Sequence, residues 1–209
     1  MDPKAQHARA DSYRLLAACL YPPDTFWQDR EQLFVDLAAA LRPCSSEAAD
    51  FAESMGTSIA QRRSEHELSV EHAKLFVGPY ELLAPPYGSV YLDEGKRVMG
   101  NSTIAVKQMY QEYGLKLADD FKELPDHIAV ELEFMYYLIY KMLEAEQQAD
   151  NAAGERYAAG QRQFLKIHLS PFVAALCARI DAGTASNFYK SLSACLCAFI
   201  TADSQPVST

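Results

Sequence analysis

Four ionisable side chains fall within eight positions of this chain: Asp126, His127, Glu131 and Glu133. His127 and Glu131 are spaced i, i+4, so on a helix they share one face. That face continues into Phe134 and Leu138, which are apolar. Glu131 is therefore expected at the edge of buried surface, where a carboxylate needs a partner. Two chemistries suit such a pair. The simpler is structural, with His127 and Glu131 satisfying each other or the segment 115–124. The alternative is a metal-dependent hydrolase using His127 and Glu131. Helical di-iron sites use two E-x-x-H motifs on facing helices, and here Phe134 stands three residues after Glu131. His7, His66, His72 and His168 have no partner at ligand spacing, so no metal and no other cofactor is expected.

Other catalytic words are missing. There is no G-x-x-x-x-G-K-[ST] and no G-x-G-x-x-G after a strand, which leaves no nucleotide signature. No G-x-S-x-G marks a hydrolase nucleophile, and nothing in the sequence places a base beside Ser89. Residues 78–100 offer recognition instead. After the apolar Leu75, Phe76 and Val77 the chain breaks at Gly78-Pro79 and runs aperiodically for about twenty residues. Loops of that length are usually lids or binding loops. Pro85 and Pro86 stiffen the backbone near Tyr80, Tyr87 and Tyr91, which lowers the entropy these aromatics lose on binding. Tyrosines with an apolar face and a polar tip suit peptides. They equally suit pinning the loop onto the rest of the protein.

Helices must position these groups. Residues 5–20 carry Tyr13, Leu16, Ala17 and Leu20 at helical spacing, ended by Pro22-Pro23. Asp24 or Thr25 can cap a second helix with Trp27, Leu33, Phe34, Leu37 and Leu41. Ser45 or Ser46 can cap a third that runs to about Arg63. Ser64 and Glu67 have capping-box spacing for a helix ending at Val77, with Ser69 as the other start. Asn101 or Ser102 can cap a helix bearing Val106, Met109, Tyr110 and Tyr113, closed by Gly114. Pro125 and Asp126 suit the first turn of the strongest helix, striped by Ile128, Leu132, Met135, Ile139 and Met142. Run to Ala149, it would be about 37 Å long. Further helices are expected at 153–167, 171–182 and 185–202, with breaks at Pro171 and Gly183 and a frayed end from Ser204. The stretch Ser89–Leu92 is strand-like but only four residues long. The reading is all-α: one multi-helix bundle over residues 1–209, with loop 78–100 and connector 115–124 between helical halves. A long connector of this kind permits a domain-swapped dimer as well as a monomer.

Composition narrows the class. Apolar residues make up 49%, enough for a substantial core. A formal charge of −9 without a basic stripe argues against nucleic acid as a partner. No apolar run is long enough to span a membrane. The N-terminal residues lack a secretory h-region, so a cytoplasmic location is expected. Cys19, Cys44, Cys177, Cys195 and Cys197 include no C-x-x-C pair, and those in apolar helices read as buried thiols.

Several unusual words occur in order: L-F-x-G-P (Leu75–Pro79), A-P-P-Y-G-S-V-Y-L-D (Ala84–Asp93), G-x-S-T (Gly100–Thr103) and P-D-H-I-x-x-E-L-E-F-M (Pro125–Met135). H-L-S-P-F (His168–Phe172) and F-Y-x-x-L (Phe188–Leu192) follow. Together they closely resemble the TorD/DmsD family of redox-enzyme maturation chaperones, over about residues 10–200. The resemblance implies a TorD-like helical fold and no catalysis. It also implies a cytoplasmic partner: the twin-arginine signal peptide and apo form of a molybdenum-cofactor oxidoreductase, held until cofactor is inserted and export can proceed. The family's peptide-binding region would fall on Pro85, Pro86, Tyr87 and Ser89, on Asp126 and His127, and on Arg14. On this reading Tyr87 and Tyr91 shield the peptide's apolar segment. Asp126, with Glu131 or a nearby carboxylate, attracts its arginines, and His127 orients Asp126 or reports pH. Tyr87 stands where the family often has Trp, Tyr80 where a small residue is common, and Leu124 replaces a usual proline. A generic helical interaction scaffold is the remaining alternative.

Overall fold

The computed structural model describes residues 2–23, 30–61, 65–79, 82–118 and 121–205. Asp24, Thr25, Trp27, Arg63, Ser64 and Tyr80, named above, lie outside the described residues, as does the end beyond Gln205. Among the described residues the regular structure is helical, so the all-α expectation holds. Helix α1 spans Pro3–Ala18, α2 Arg30–Leu41 and α3 Ser46–Ala60. Helix α4, Glu65–His72, runs into a π-helical turn, Ala73–Val77. A single turn α5, Ser89–Leu92, is followed by α6, Asn101–Glu112, and α7, Ile128–Gln147. Helix α8, Asn151–Phe164, passes through a second π turn, Leu165–Leu169, into α9, Ser170–Gly183. Helix α10 spans Asn187–Asp203.

Amphipathic stripes decide the packing. Helix α7 lies against α1 on one side and α8 on another. Helix α3 packs against both α2 and α10, and α9 packs on α10. The α7 stripe Ile128, Leu132, Met135 and Ile139 is fully buried, so the 3.6-residue period lies in the core. Ser45 caps α3 by accepting from the Ala48 N–H at 3.2 Å. Gly114, at φ +83°, closes α6.

Several boundaries differ from the sequence reading. Helix α7 starts at Ile128, not in the turn of Pro125, because the backbone of 126–128 pairs with the loop. It is about 30 Å long rather than about 37 Å. Helix α4 begins at Glu65, ahead of Ser69. The α6 cap is neither Asn101 nor Ser102 but Asp93, nine residues before Ser102, whose carboxylate accepts from the Ser102 N–H at 3.2 Å. Ser89–Leu92 is a helical turn, not a strand. The expected break at Pro171 is bridged by the π turn. Pro171 then stands at the start of α9, where its missing N–H costs nothing.

Candidate functional site

The loop and the start of α7 form one unit. The Gly88 N–H donates to the Asp126 carbonyl at 2.8 Å, and the Ile128 N–H donates to the Pro86 carbonyl at 2.8 Å. These bonds make Tyr87 and His127 an isolated antiparallel bridge pair. The Asp126 side chain tightens the junction: its Oδ2 accepts from the Ser89 N–H at 2.8 Å. His127 is the α7 N-cap, and its Nδ1 accepts from the Ala129 N–H at 3.2 Å. From α6, the Tyr110 hydroxyl donates to the Pro125 carbonyl at 2.8 Å. A loop that looks aperiodic in sequence is thus held by long-range backbone pairing.

Glu131 lies beneath this junction, fully buried. A Cβ on Gly88 would come within 3.2 Å of Glu131 Oε1, so the loop closes tightly over the carboxyl group. Neither Glu131 oxygen has a hydrogen-bond partner among the described residues, and neither has Asp126 Oδ1. Burial, followed by the Asp126 carboxylate, pushes the Glu131 carboxyl well above its ordinary range. Burial thus favours the protonated, neutral form of Glu131. The expected His127–Glu131 pair does not form, because the His127 Nδ1 faces its own helix terminus.

A cleft of about 140 Å3 opens beside the junction. Leu20, Tyr21 and Pro22 after α1, His72, Phe76 and Val77 at the end of α4, and Leu82, Tyr87, Glu123 and His127 line it. The π turn ends with the Gly78 N–H donating to the Ala73 carbonyl at 2.9 Å. Such widened turns recur at functional sites, and this one delivers Phe76 and Val77 to the wall. Tyr21 stacks on His127, with centroids 6.0 Å apart and planes 8° from parallel. Tyr87 meets the same ring edge-on at 5.5 Å. Burial, then His72, lowers the His127 imidazole to about 4, so it stays uncharged near neutrality and does not report pH there. The Tyr87 hydroxyl is within hydrogen-bonding reach of Glu123, and the Tyr21 hydroxyl within reach of Glu133. A larger open hollow of about 660 Å3 runs along residues 92–101, but no aromatic side chain lines it.

The sequence-derived residues separate into two groups. Tyr87 and His127 line the cleft. Pro85 and Pro86 are buried in the loop that carries Tyr87. Ser89, Asp126 and Glu131 are fully buried behind it, so the expectation that Asp126 and Glu131 present charge at a surface is corrected: loop packing covers both. Tyr91 faces α9, its ring 5.2 Å from Phe172, with the Arg179 guanidinium 5.6 Å from its centroid. Arg14 is exposed on α1 and pairs with Asp11 at 3.1 Å. Sequence reasoning missed Tyr21, His72, Phe76 and Glu123. Phe76 sits at the end of an apolar helical run, and Tyr21 follows the last residue of the first helical stripe. His72 and Glu123 carried no spacing signal. Among the described residues, no group of three or more His, Cys, Asp or Glu is placed to hold a metal ion, and no helix is long and apolar enough to cross a membrane.

The chain is thus an all-helical bundle with a narrow aromatic cleft beside a braced loop. Residues 30–178 match a family model described as nitrate reductase delta subunit. The chain belongs to this family, that of the TorD and DmsD redox-enzyme maturation chaperones. It is 29% identical over 140 residues to the chaperone protein TorD of Aliivibrio salmonicida, covering 66% of this chain and 62% of that one. It is 29% identical over 195 residues to the perchlorate reductase assembly chaperone protein of Dechloromonas aromatica, covering 88% and 83%. A stretch of 64 residues is 41% identical to the Tat proofreading chaperone DmsD of Salmonella paratyphi A, covering 31% of each chain.

Proposed function

We propose that this chain is a chaperone that binds the twin-arginine signal peptide and apo form of a molybdenum-cofactor oxidoreductase. It assists cofactor insertion and delays export until the client is mature. The cleft between the Tyr87 loop and the start of α7 carries the reading, because it combines apolar walls with polar tips in a space sized for side chains. At about 140 Å3 it is well below the roughly 300–1,000 Å3 of pockets that enclose whole small ligands. An extended leader would insert one or two apolar side chains and leave the rest on the surface. Tyr87 and His127 make the direct contacts. Pro85, Pro86 and Tyr91 hold the loop, and Ser89, Asp126 and Glu131 hold the junction beneath it.

The relatives are named as chaperones or assembly proteins, which agrees with a binding role rather than the hydrolase alternative. Calorimetric titration with the twin-arginine leader of a candidate client tests the proposal. Binding is expected with moderate affinity, since a flexible peptide loses entropy on ordering. Tyr87→Ala should weaken it by roughly tenfold or more if Tyr87 is an anchor. Equal affinity in the variant would leave Tyr87 a loop residue only. Binding of the mature client without its leader, and no binding of the leader, would favour a generic scaffold.

A further inference from the structure

Helices α9 and α10 are joined by the short turn 184–186 and pack on each other. At their contact the hydrogen bonds run both ways. The Cys177 thiol donates to the Ser193 carbonyl at 3.3 Å, and the Ser193 hydroxyl donates to the Cys177 carbonyl at 3.1 Å. The two backbones therefore approach to within one short side chain of each other. Cys197 stands one turn beyond Ser193 on the same face of α10. In a helix the Ser193 carbonyl is also the acceptor for the Cys197 N–H, so the Cys177 sulfur bonds an atom already tied to Cys197. The two thiols come within hydrogen-bonding reach of each other.

The pair is asymmetric. Cys177 is 5% exposed, and Cys197 is half-buried. Burial pushes the Cys177 thiol up to about 12, so it stays protonated and is a poor first target for an oxidant. Cys195, two residues before Cys197, turns to another helix: its thiol donates to the Ala48 carbonyl of α3 at 3.2 Å. Joining Cys177 to Cys197 strands no polar group. The Cys177 hydrogen departs in the reaction, and the Ser193 carbonyl keeps its helical N–H.

We propose that Cys177 and Cys197 form a modification site at which a peroxide drives a reversible disulfide between α9 and α10. The Cys197 thiolate attacks one peroxide oxygen and the O–O bond breaks, giving a sulfenic acid and, with the proton from the thiol, one water. The Cys177 sulfur then attacks the Cys197 sulfur, the S–O bond breaks, and the hydroxide leaves with the Cys177 proton as a second water. The two thiols lose two electrons, and the peroxide gains them. The bond staples α10 to α9, the helix that carries Phe172 and Arg179 against the Tyr91 ring.

The test treats the reduced full chain with hydrogen peroxide, blocks the remaining thiols with iodoacetamide and maps peptides by mass spectrometry without reduction. A linked pair joining Cys177 to Cys197 is expected, and dithiothreitol should release it. The oxidised chain should melt roughly 5–10 °C above the reduced one, because the bond closes a loop of about twenty residues. Cys197→Ser should abolish the link, and Cys177→Ser should leave Cys197 as a sulfenic acid that dimedone labels. Mapping of the wild type needs no variant, and it decides the question if either variant fails to fold. Recovery of Cys197 as a sulfinic acid with Cys177 still free overturns the proposal, as does oxidation of Cys44 while Cys177 and Cys197 are both recovered alkylated. A link from Cys177 to Cys195, or one that forms only in denaturant, overturns it equally.

Discussion

Burial favours the uncharged form of both Glu131 and His127, with opposite consequences for pH. Burial withdraws water from the charged state of either group. For Glu131 the folded-state value is raised above the ordinary 4.5. Below pH 4.5 folded and unfolded chains both hold that proton, and Glu131 adds no pH dependence. Above it the unfolded chain releases the proton and the native chain keeps it, so stability falls as pH rises. Glu131→Gln removes this loss. Its melting temperature should match that of the wild type near pH 4 and exceed it increasingly towards neutrality, as read by calorimetric melting at several pH values. A constant offset would mean that Glu131 finds a partner when ionised. His127 has the opposite sign: lowered from 6.5 to about 4, it costs stability as pH falls through that window. At this scale the tyrosines also part company. Tyr91 pins the loop to α9 through Phe172 and Arg179, and Tyr87 stands on the cleft wall.

The elements around the cleft are braced by contacts distant in sequence. The loop segment 86–93 joins α7 through paired backbone bonds and α6 through Asp93. The Asp93 carboxylate accepts from both the Ser102 N–H and the Ser102 hydroxyl, placing negative charge at the positive end of α6. Gly100 permits this, since a Cβ there would collide with Asp93 Oδ2. Asp93→Ala should cost about 1 kcal/mol, the usual value of a helix cap, and speed amide hydrogen exchange in the first turn of α6. Unchanged exchange there would remove Asp93 from the capping role. The site therefore depends on α6 although no α6 residue lines the cleft.

Across the whole molecule, the two ends of the chain are locked together far from the cleft. Arg9 of α1 donates to Asp203 of α10 through Nε at 2.5 Å and Nη2 at 2.9 Å, and to Gln161 of α8 at 2.6 Å. The Tyr13 hydroxyl donates to the same Asp203 at 2.6 Å. The Arg9 and Asp203 side chains are only 16% and 10% exposed. Removing one partner of such a pair strands the other charge away from water. Asp203→Ala should destabilise the protein by about 3–5 kcal/mol in denaturant unfolding. A cost below about 1 kcal/mol would show that the network is solvated like a surface pair. Because the lock joins α1, α8 and α10, its loss should lower the stability of the bundle as a whole rather than open the cleft alone.

Local periodicity and capping chemistry were enough to read the helical class, the α7 stripe, the Ser45 cap and the Gly114 stop. Each depends on residues within a few positions of one another. Ordered motif words carried the family, because side-chain identity needs no coordinates. The start of α7 was not legible: residues 126–128 bond to residues 86–88, and no local rule anticipates a partner some forty positions away. Glu131 was expected at the edge of buried surface with a partner, because its spacing from His127 was visible and the loop that covers it was not. Phe76 was visible only as the end of an apolar helical run, because an apolar residue there has the same signature whether it meets another helix or a cleft. Which side chains face that cleft is decided by how distant segments pack, and only the folded chain brings the end of α1, the π turn of α4, the Tyr87 loop and the start of α7 to one place.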